Sequence, residues 1–341
     1  MARATFADAI ERALDHAMAL DDRVLVIGED VRTLRRGLYV RYGGGRVVDA
    51  PISESALLGT ALGSAMAGLR PVVEIMFVDF LGVALDQLLN HAAKLDAFSG
   101  GRWHAPLVVR AACGGGYGDA GQHEQSLWGL LAGIPGLTVV APSVPADAAG
   151  LLLAALEHDG PVVFLEHKLL SAYWLDYLGG ATRGAAEFDV PATGAEGEVA
   201  DPPEPVPVGV AVLRRAGTDI ALVSVAVGVH RSLEAAAALA QEGIDAAVLD
   251  LRTVAPLDRA AVADLARRTH RVLVVDEDYT RGGLSGEIAA VLAEEGVRAS
   301  YARVTTEDTI PYAKHLEAAV LPNVPRIMTA ARALMQRDEG V

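Results

Sequence analysis

Two stretches of the chain carry side chains whose type and spacing suit chemistry. The first is Arg110-Ala-Ala-Cys-Gly-Gly-Gly-Tyr-Gly-Asp-Ala-Gly-Gln-His-Glu-Gln125, a glycine-rich segment directly after the apolar run PLVVRA. Connections at the carboxyl ends of parallel strands are where α/β proteins place ligands. His123 closes the segment and could act as an acid, a base or a donor to a developing oxyanion. The alternative is a histidine that caps the following helix. The second stretch is Pro51-Ile-Ser-Glu54, at the junction of a short strand and a helix built from glycine and alanine. A carboxylate in a first helical turn is favoured by the helix dipole, by about 0.3–1 kcal/mol. That alone would explain Glu54. Its neighbours are all apolar or small, however, so a carboxyl there requires a specific partner if it is buried.

Other chemistries lack support. Gly116-Tyr-Gly-Asp-Ala-Gly121 is a literal GxGxxG. A dinucleotide fingerprint also needs an acid closing the next strand, about 20 residues on. Here LTVVA (137–141) runs into Ala-Pro-Ser-Val-Pro, with no acid until Asp147. The chain contains no GxxxxGK[ST], HExxH, CxxC or GxSxG, so hydrolase and metal readings have no motif.

The elements that must position these residues follow from the apolar pattern. β-like runs at 23–27, 71–76, 106–111, 137–141 and 161–166 alternate with helical stretches. The second half repeats the pattern at 219–226, 245–251, 271–277 and 299–304. Continuous apolar strands separated by helices indicate parallel sheets covered on both faces. The expected fold is α/β, with two doubly wound domains of mostly parallel strands. The one composition break, acidic and rich in Pro and Gly, spans residues 186–208. Domains are therefore placed at 1–185 and 209–341, with 186–208 as linker or insertion. After Glu54, Gly59, Gly63 and Ala67 recur every four residues. Glycine inside a helix costs about 0.5–1 kcal/mol relative to alanine, so close approach of another element is expected there.

Composition narrows the function classes. The chain has 341 residues, a net charge of −15 and 52% apolar residues. Its mean hydropathy is +0.30 and its pI about 5.0. It is too apolar to be disordered. The acidic balance argues against nucleic-acid binding. A single cysteine, Cys113, rules out a disulfide framework and fits a reducing compartment. The longest uncharged run, Gln125 to Ala146, is long enough to span a bilayer but is broken by Pro135, Pro142, Pro145 and three glycines. The N-terminal stretch reads as an acid-rich amphipathic helix, not a signal peptide. A soluble, cytoplasmic protein with a large core or a buried interface is expected.

Several segments, taken in order, resemble a known family. They are PISE (51–54), GLRPVVEIMFVDF (68–80), ALDQLLNHAAK (84–94), GQHEQS (121–126), PGLTVVAPSVPADAAGLL (135–152) and GPVVFLEHKLL (160–170). IDAAVLDLRTVAPLD (244–258) and IPYAKHLEAAVLPNVPRI (310–327) extend the match through the second half. Together they resemble the β subunit of thiamine-diphosphate-dependent 2-oxoacid dehydrogenases, the E1 components for pyruvate and branched-chain 2-oxoacids, and of acetoin dehydrogenase. The resemblance implies a transketolase-like pyrimidine-binding domain followed by a transketolase C-terminal-like domain that mainly serves assembly.

It also implies roles. Glu54 would hydrogen-bond the pyrimidine N1′ of thiamine diphosphate and promote deprotonation of the thiazolium C2. Phe80 would pack on the pyrimidine, with Ile52 and Met76 lining the same pocket. His123 would assist proton transfer or acyl transfer to a lipoyl group. The family holds the diphosphate through Mg²⁺ on a GDG-type motif of the α subunit. This chain has only Gly118-Asp119-Ala120, inside the histidine loop, so no metal ligands are assigned to it. The implied assembly is an α₂β₂ heterotetramer, with docking to a lipoyl acyltransferase (E2) as a further partner. Some members hold K⁺ near the segment matching Ala155 to Gly160, a site that carbonyl ligands leave illegible here. Three features depart from the family pattern. Glu124-Gln125 replaces the usual Ser-Gln after the histidine, the 31–39 loop is shortened, and 186–207 resembles an insertion. A carboligase or decarboxylase subunit without a lipoyl partner, and a non-catalytic assembly subunit, are the competing readings.

Overall fold

The computed structural model describes residues 1–180 and 188–337. Fourteen strands lie in these regions: β1 (Ala2–Thr5), β2 (Val24–Gly28), β3 (Val47–Asp49), β4 (Arg70–Phe77), β5 (Val108–Cys113), β6 (Thr138–Val140) and β7 (Val162–His167), then β8 (Glu196–Val199), β9 (Val212–Arg215), β10 (Ile220–Ser224), β11 (Ala246–Asp250), β12 (Thr253–Ala255), β13 (Arg271–Tyr279) and β14 (Ser300–Thr306). The nine expected strands are all present, as β2, β4–β7, β10, β11, β13 and β14.

The first sheet has the order β12-β6-β7-β5-β4-β2-β3, with β2 through β7 parallel. The second has the order β14-β13-β10-β11-β9 and is parallel except for β9 at its edge. Every residue of β5 and β7 is buried, which is why these strands read as mostly apolar runs; their charged members, Arg110 on β5 and Glu166 on β7, pair with each other.

Helices cover both sheets. Helix Phe6–Leu20 starts at a capping box between Thr5 and Asp8 and buries Phe6, Ile10, Leu14 and Met18 at helical spacing. With helix Pro145–Glu157 it covers the outer face of the first sheet. Helices Val227–Ala240 and Val324–Met335 cover the outer face of the second. Between the sheets lies one continuous core. It runs from Leu57, Leu58 and Ala61 through Val73, Val109 and Trp128 to Val223, Val274 and Ile288.

Two connections tie the halves together beyond the expected linker. Strand β12 lies in the second half of the chain but pairs antiparallel with β6, at the edge of the first sheet. Strand β8, inside the acidic segment, pairs antiparallel with β1. Residues 188–208 thus carry a strand and an ion pair, Arg231 to Asp189 at 2.7 Å. The 185/186 boundary lies outside the described residues. Among the described residues no helix is long and apolar enough to cross a membrane.

Candidate active site

Four neighbouring parallel strands, β5-β4-β2-β3, end on one edge of the first sheet. Their carboxyl ends deliver, in that order, the loop of His123, the turn of Phe80, Glu29, and Pro51 to Glu54. One edge therefore gathers most of the residues singled out from the sequence.

Glu54 opens helix Glu54–Met66 and is half-buried. Ser55 Oγ donates to the Val83 carbonyl at 2.6 Å, which fixes the start of this helix against the turn Val78–Gly82 that carries Phe80. The Glu54 carboxylate makes no hydrogen bond or ion pair with the described residues, so it is available to a ligand. Glu29 sits close enough for its carboxyl to be pushed up, by burial and by the charges of Asp30 and Glu54. The one signal for Glu29 in the sequence is its place in Gly28-Glu29-Asp30 at the end of a strand.

Phe80 and His123 meet across Phe77. The His123 ring stands edge-on to both phenyl rings, with centroid separations of 5.7 Å to each. Phe77 and Phe80 lie 5.5 Å apart, and Trp174 packs on Phe77 at 5.6 Å. Met76 joins the same aromatic cluster. Ile52 does not: it is 73% exposed, outside the hydrophobic clusters of the chain.

The histidine loop is held by its backbone. Gly114 lies at φ +87°, and a Cβ there would meet His167 Nε2 at 1.9 Å, so only glycine fits. Gly114 N–H donates to the Gln125 carbonyl at 2.9 Å and closes the loop. The His123 carbonyl accepts from Tyr117 Oη at 2.9 Å and from Lys168 Nζ at 2.8 Å. Lys168 is fully buried over the Phe77 and Tyr117 rings, and burial lowers its pKa. His123 Nδ1 is buried with no hydrogen-bond partner, and the nearest carboxylate oxygen, on Asp119, is 3.9 Å away. Helix Trp128–Ala132 has Leu127 at its cap and no side-chain cap bond. His123 is therefore not a capping histidine; its ring is directed at the aromatic wall with one nitrogen unengaged. Cys113, at the end of β5, is buried and its thiol pKa is driven up by burial, which keeps it inert.

The second domain contributes more to this site than assembly. Glu277, on β13, accepts from Gly115 N–H at 2.8 Å and contacts His167 Nε2 at 2.9 Å. Glu317, on helix Lys314–Val320, accepts from Gly116 N–H at 3.0 Å and Gly118 N–H at 3.1 Å. Tyr279 Oη donates to Gln125 Oε1, whose amide in turn donates to Asp79 Oδ1 at 2.7 Å. Just beyond the loop, Trp128 Nε1 and Gly129 N–H donate to Asp276 and Asp278. The glycine loop is thus a set of backbone donors captured by carboxylates of the other domain. Its composition advertised the donors; the acceptors had no motif.

The 31–39 segment, expected as a shortened loop, instead forms the short helix Val31–Leu34 and the first turn of helix Arg36–Tyr42, and Arg35 between them anchors it from below. Arg35 is buried and pairs with Glu74 at 2.8 Å and with half-buried Glu11 at 3.4 Å. Arg110 pairs with the same Glu74 and with Glu166. Among the described residues, no group of three or more His, Cys, Asp or Glu is arranged to hold a metal ion.

An unengaged carboxylate, an aromatic wall and a histidine loop thus line the carboxyl edge of a parallel sheet, where α/β proteins place their ligand sites. Comparison with known proteins makes the class specific. Residues 2–172 match the transketolase pyrimidine-binding domain, and residues 209–327 match the transketolase C-terminal domain. The acetoin:2,6-dichlorophenolindophenol oxidoreductase β subunit of Cupriavidus necator is 38% identical, with 96% of each chain covered. The 2-oxoisovalerate dehydrogenase β subunit of Bacillus subtilis is also 38% identical, over 97% of this chain and 98% of that one. The mitochondrial pyruvate dehydrogenase E1 β subunit of Drosophila melanogaster is 39% identical, over 98% and 90%. A split-gene transketolase, solved as an inactive β₄ tetramer, shares the fold with a TM-score of 0.78 at 22% identity, covering 97% of this chain and 98% of its own. The chain belongs to the transketolase-like family of β subunits found in 2-oxoacid and acetoin dehydrogenases.

Proposed function

We propose that this chain is the β subunit of a cytoplasmic, thiamine-diphosphate-dependent E1 enzyme, active with an α partner in an α₂β₂ heterotetramer. The observation that carries this reading is the row formed along one sheet edge by Glu54, Phe80 and His123. When bound, thiamine diphosphate supplies the nucleophile and electron sink for cleaving the bond between a carbonyl and its carboxyl neighbour. Glu54, free of protein partners, would accept from or share a proton with pyrimidine N1′. Phe80, with Met76 behind it, would give the ring an apolar face. His123 would hold or deliver a proton at the carbonyl being transformed, and its unengaged Nδ1 suits that role.

The partner enters through what this chain leaves open. The described residues offer no metal cluster for a diphosphate, so Mg²⁺ and the diphosphate are assigned to the α subunit. In helix Glu54–Met66, a Cβ added at Gly63 would meet nothing within 4 Å, and Met66, three residues on, is exposed. The close approach expected at Gly63 is not made among the described residues, which supports an interface with another subunit. We assign the substrate as a 2-oxoacid, decarboxylated with transfer of the acyl group to a lipoyl carrier on an E2 acyltransferase. The C. necator relative's name supports a second reading, an acetoin dehydrogenase β chain. Co-expression with an α chain bearing the diphosphate motif, followed by assay on pyruvate, 2-oxoisovalerate and acetoin, tests both. Thiamine-dependent turnover of a 2-oxoacid is expected; no turnover of any of the three would refute the assignment.

A further inference from the structure

The residue after the histidine is the feature that family resemblance leaves unexplained. Glu124 is fully buried. Its Oε1 accepts from Tyr117 N–H at 3.2 Å, while its Oε2 has no hydrogen-bond donor in reach. That carboxyl faces Glu317, itself only 2% exposed. Leu321, one turn beyond Glu317, packs so closely on Gly115 that a Cβ there would lie 2.8 Å from it, and this closes the pocket against water. Two carboxylates in contact in a dry pocket cannot both hold a charge. A carboxyl oxygen without a donor, turned toward an acceptor, is satisfied only if it carries a proton itself.

We propose that Glu124 and Glu317 share one proton at neutral pH, and that this carboxyl pair latches the histidine loop to the second domain and positions His123. The proposal rests on the functional reading above for its link to catalysis. Both carboxyls also hold backbone N–H groups of the loop: Glu317 Oε1 those of Gly116 and Gly118, and Glu124 those of Tyr117 and Asp119, which leaves Glu124 Oε2 as the oxygen open to carry the proton. Burial and the neighbouring Glu317 push the Glu124 carboxyl up to about 8. The charged groups around the pair are Lys168 from the end of β7, Asp119 and His123 from the loop, Glu277 from β13 and Lys314 from the helix of Glu317. Above its midpoint the pair would carry two negative charges, and their repulsion would part the loop from helix Lys314–Val320. The serine usual at this position in the family is a donor that does not titrate. The substitution in this chain therefore makes the latch sensitive to pH.

Infrared titration of the full chain, as wild type and Glu124→Gln, tests the shared proton without partner or substrate. A protonated-carboxyl band that is stronger at pH 7 in the wild type than in the variant is expected; the part common to both belongs to buried Asp276, whose carboxyl burial pushes up to about 7. No such band, or a band unchanged in the variant, would overturn the proposal. If Glu124→Gln does not fold, Glu317→Gln is titrated instead: removing the neighbouring charge should move the midpoint of the band to lower pH, and an unmoved midpoint would overturn the proposal. In the reconstituted α/β enzyme, the amide of Glu124→Gln imitates the protonated form. The alkaline limb of kcat should then move upward by about one pH unit or more, with KM unchanged. An unmoved limb would overturn the positioning role. An enzyme inactive on every substrate would refute the functional reading while the infrared result still decides the shared proton.

Discussion

Lys168 Nζ donates to the His123 carbonyl at 2.8 Å from a side chain with no solvent exposure. A buried ammonium is costly, and here its position over the Phe77 and Tyr117 rings offsets part of that cost. The bond sets the backbone of the histidine rather than its ring. Lys168→Met keeps the apolar stem and removes the donor, while Tyr117 Oη still donates to the same oxygen. The fold should survive and kcat should fall about tenfold, the equivalent of losing one hydrogen bond of about 1.4 kcal/mol. Steady-state kinetics of the reconstituted enzyme, with a melting curve as control, reads this directly. An unchanged kcat would show that Tyr117 alone holds the loop.

Glu277 binds the same loop from the other domain. Burial works against its charge, but His167 beside it and the Gly115 N–H more than offset this and hold the carboxyl below its ordinary 4.5. A carboxyl with a lowered folded pKa releases its proton more readily in the folded than in the unfolded state. Its stabilisation is therefore complete above about pH 4.5 and is lost as pH falls through the folded value. Glu277→Gln should lower stability by roughly 3 kcal/mol at neutral pH, because it breaks a buried pair on one side. The deficit should shrink as pH falls below the ordinary carboxyl range. Urea unfolding at neutral and acid pH measures both; an equal deficit at the two would exclude an ionic origin.

These two residues also mark where sequence reading stops. Most of the nine expected strands were legible because a strand buried on both faces carries few polar positions to break its run, although β6 is only three residues long and β14 is half exposed. Strands β1, β3, β8, β9 and β12 were not. They are three or four residues long and partly exposed, and β8 reads Glu-Gly-Glu-Val. Their pairing is decided by tertiary contact, not local pattern. In the site, Glu54 and His123 stand out by residue type and by their place after strands, whereas Phe80 enters only through the family resemblance. Glu277 and Glu317 bind backbone N–H groups, which every residue but proline carries. Glu317 has no complementary side chain to betray it, and the His167 partner of Glu277 lies 110 residues away in the chain. Ile52 was assigned to the pocket by resemblance and lies exposed, so contact with a ligand or partner would have to cover it.

Glu54 offers the most direct test of chemistry. Its carboxylate is held at the start of a helix by the Ser55–Val83 bond and is otherwise unengaged. Glu54→Gln keeps the shape and the helix but cannot share a proton with a ring nitrogen. In the reconstituted enzyme, exchange of the thiazolium C2 proton for deuterium should slow by at least about 100-fold. Binding of the cofactor should weaken far less. Exchange at the wild-type rate would remove Glu54 from the mechanism and leave neighbouring Glu29 as the carboxyl to examine.

The partner requirement is testable on the chain alone. In the proposed function this half of the site would offer a carboxylate and an aromatic face to a pyrimidine, but the described residues hold no cluster of metal ligands for a diphosphate. The diphosphate carries most of the cofactor's charge, so binding to this half would forgo the strongest part of the recognition. Titration of the purified chain with thiamine diphosphate and Mg²⁺ should therefore give a Kd weaker than about 1 mM, or under about 4 kcal/mol of binding free energy. Adding an α chain with the diphosphate motif should tighten binding by several orders of magnitude and bury the open face at Gly63, seen as loss of amide exchange in helix Glu54–Met66. Tight 1:1 binding without a partner would mean that the chain assembles a complete site from copies of itself, and the heterotetramer would have to be abandoned.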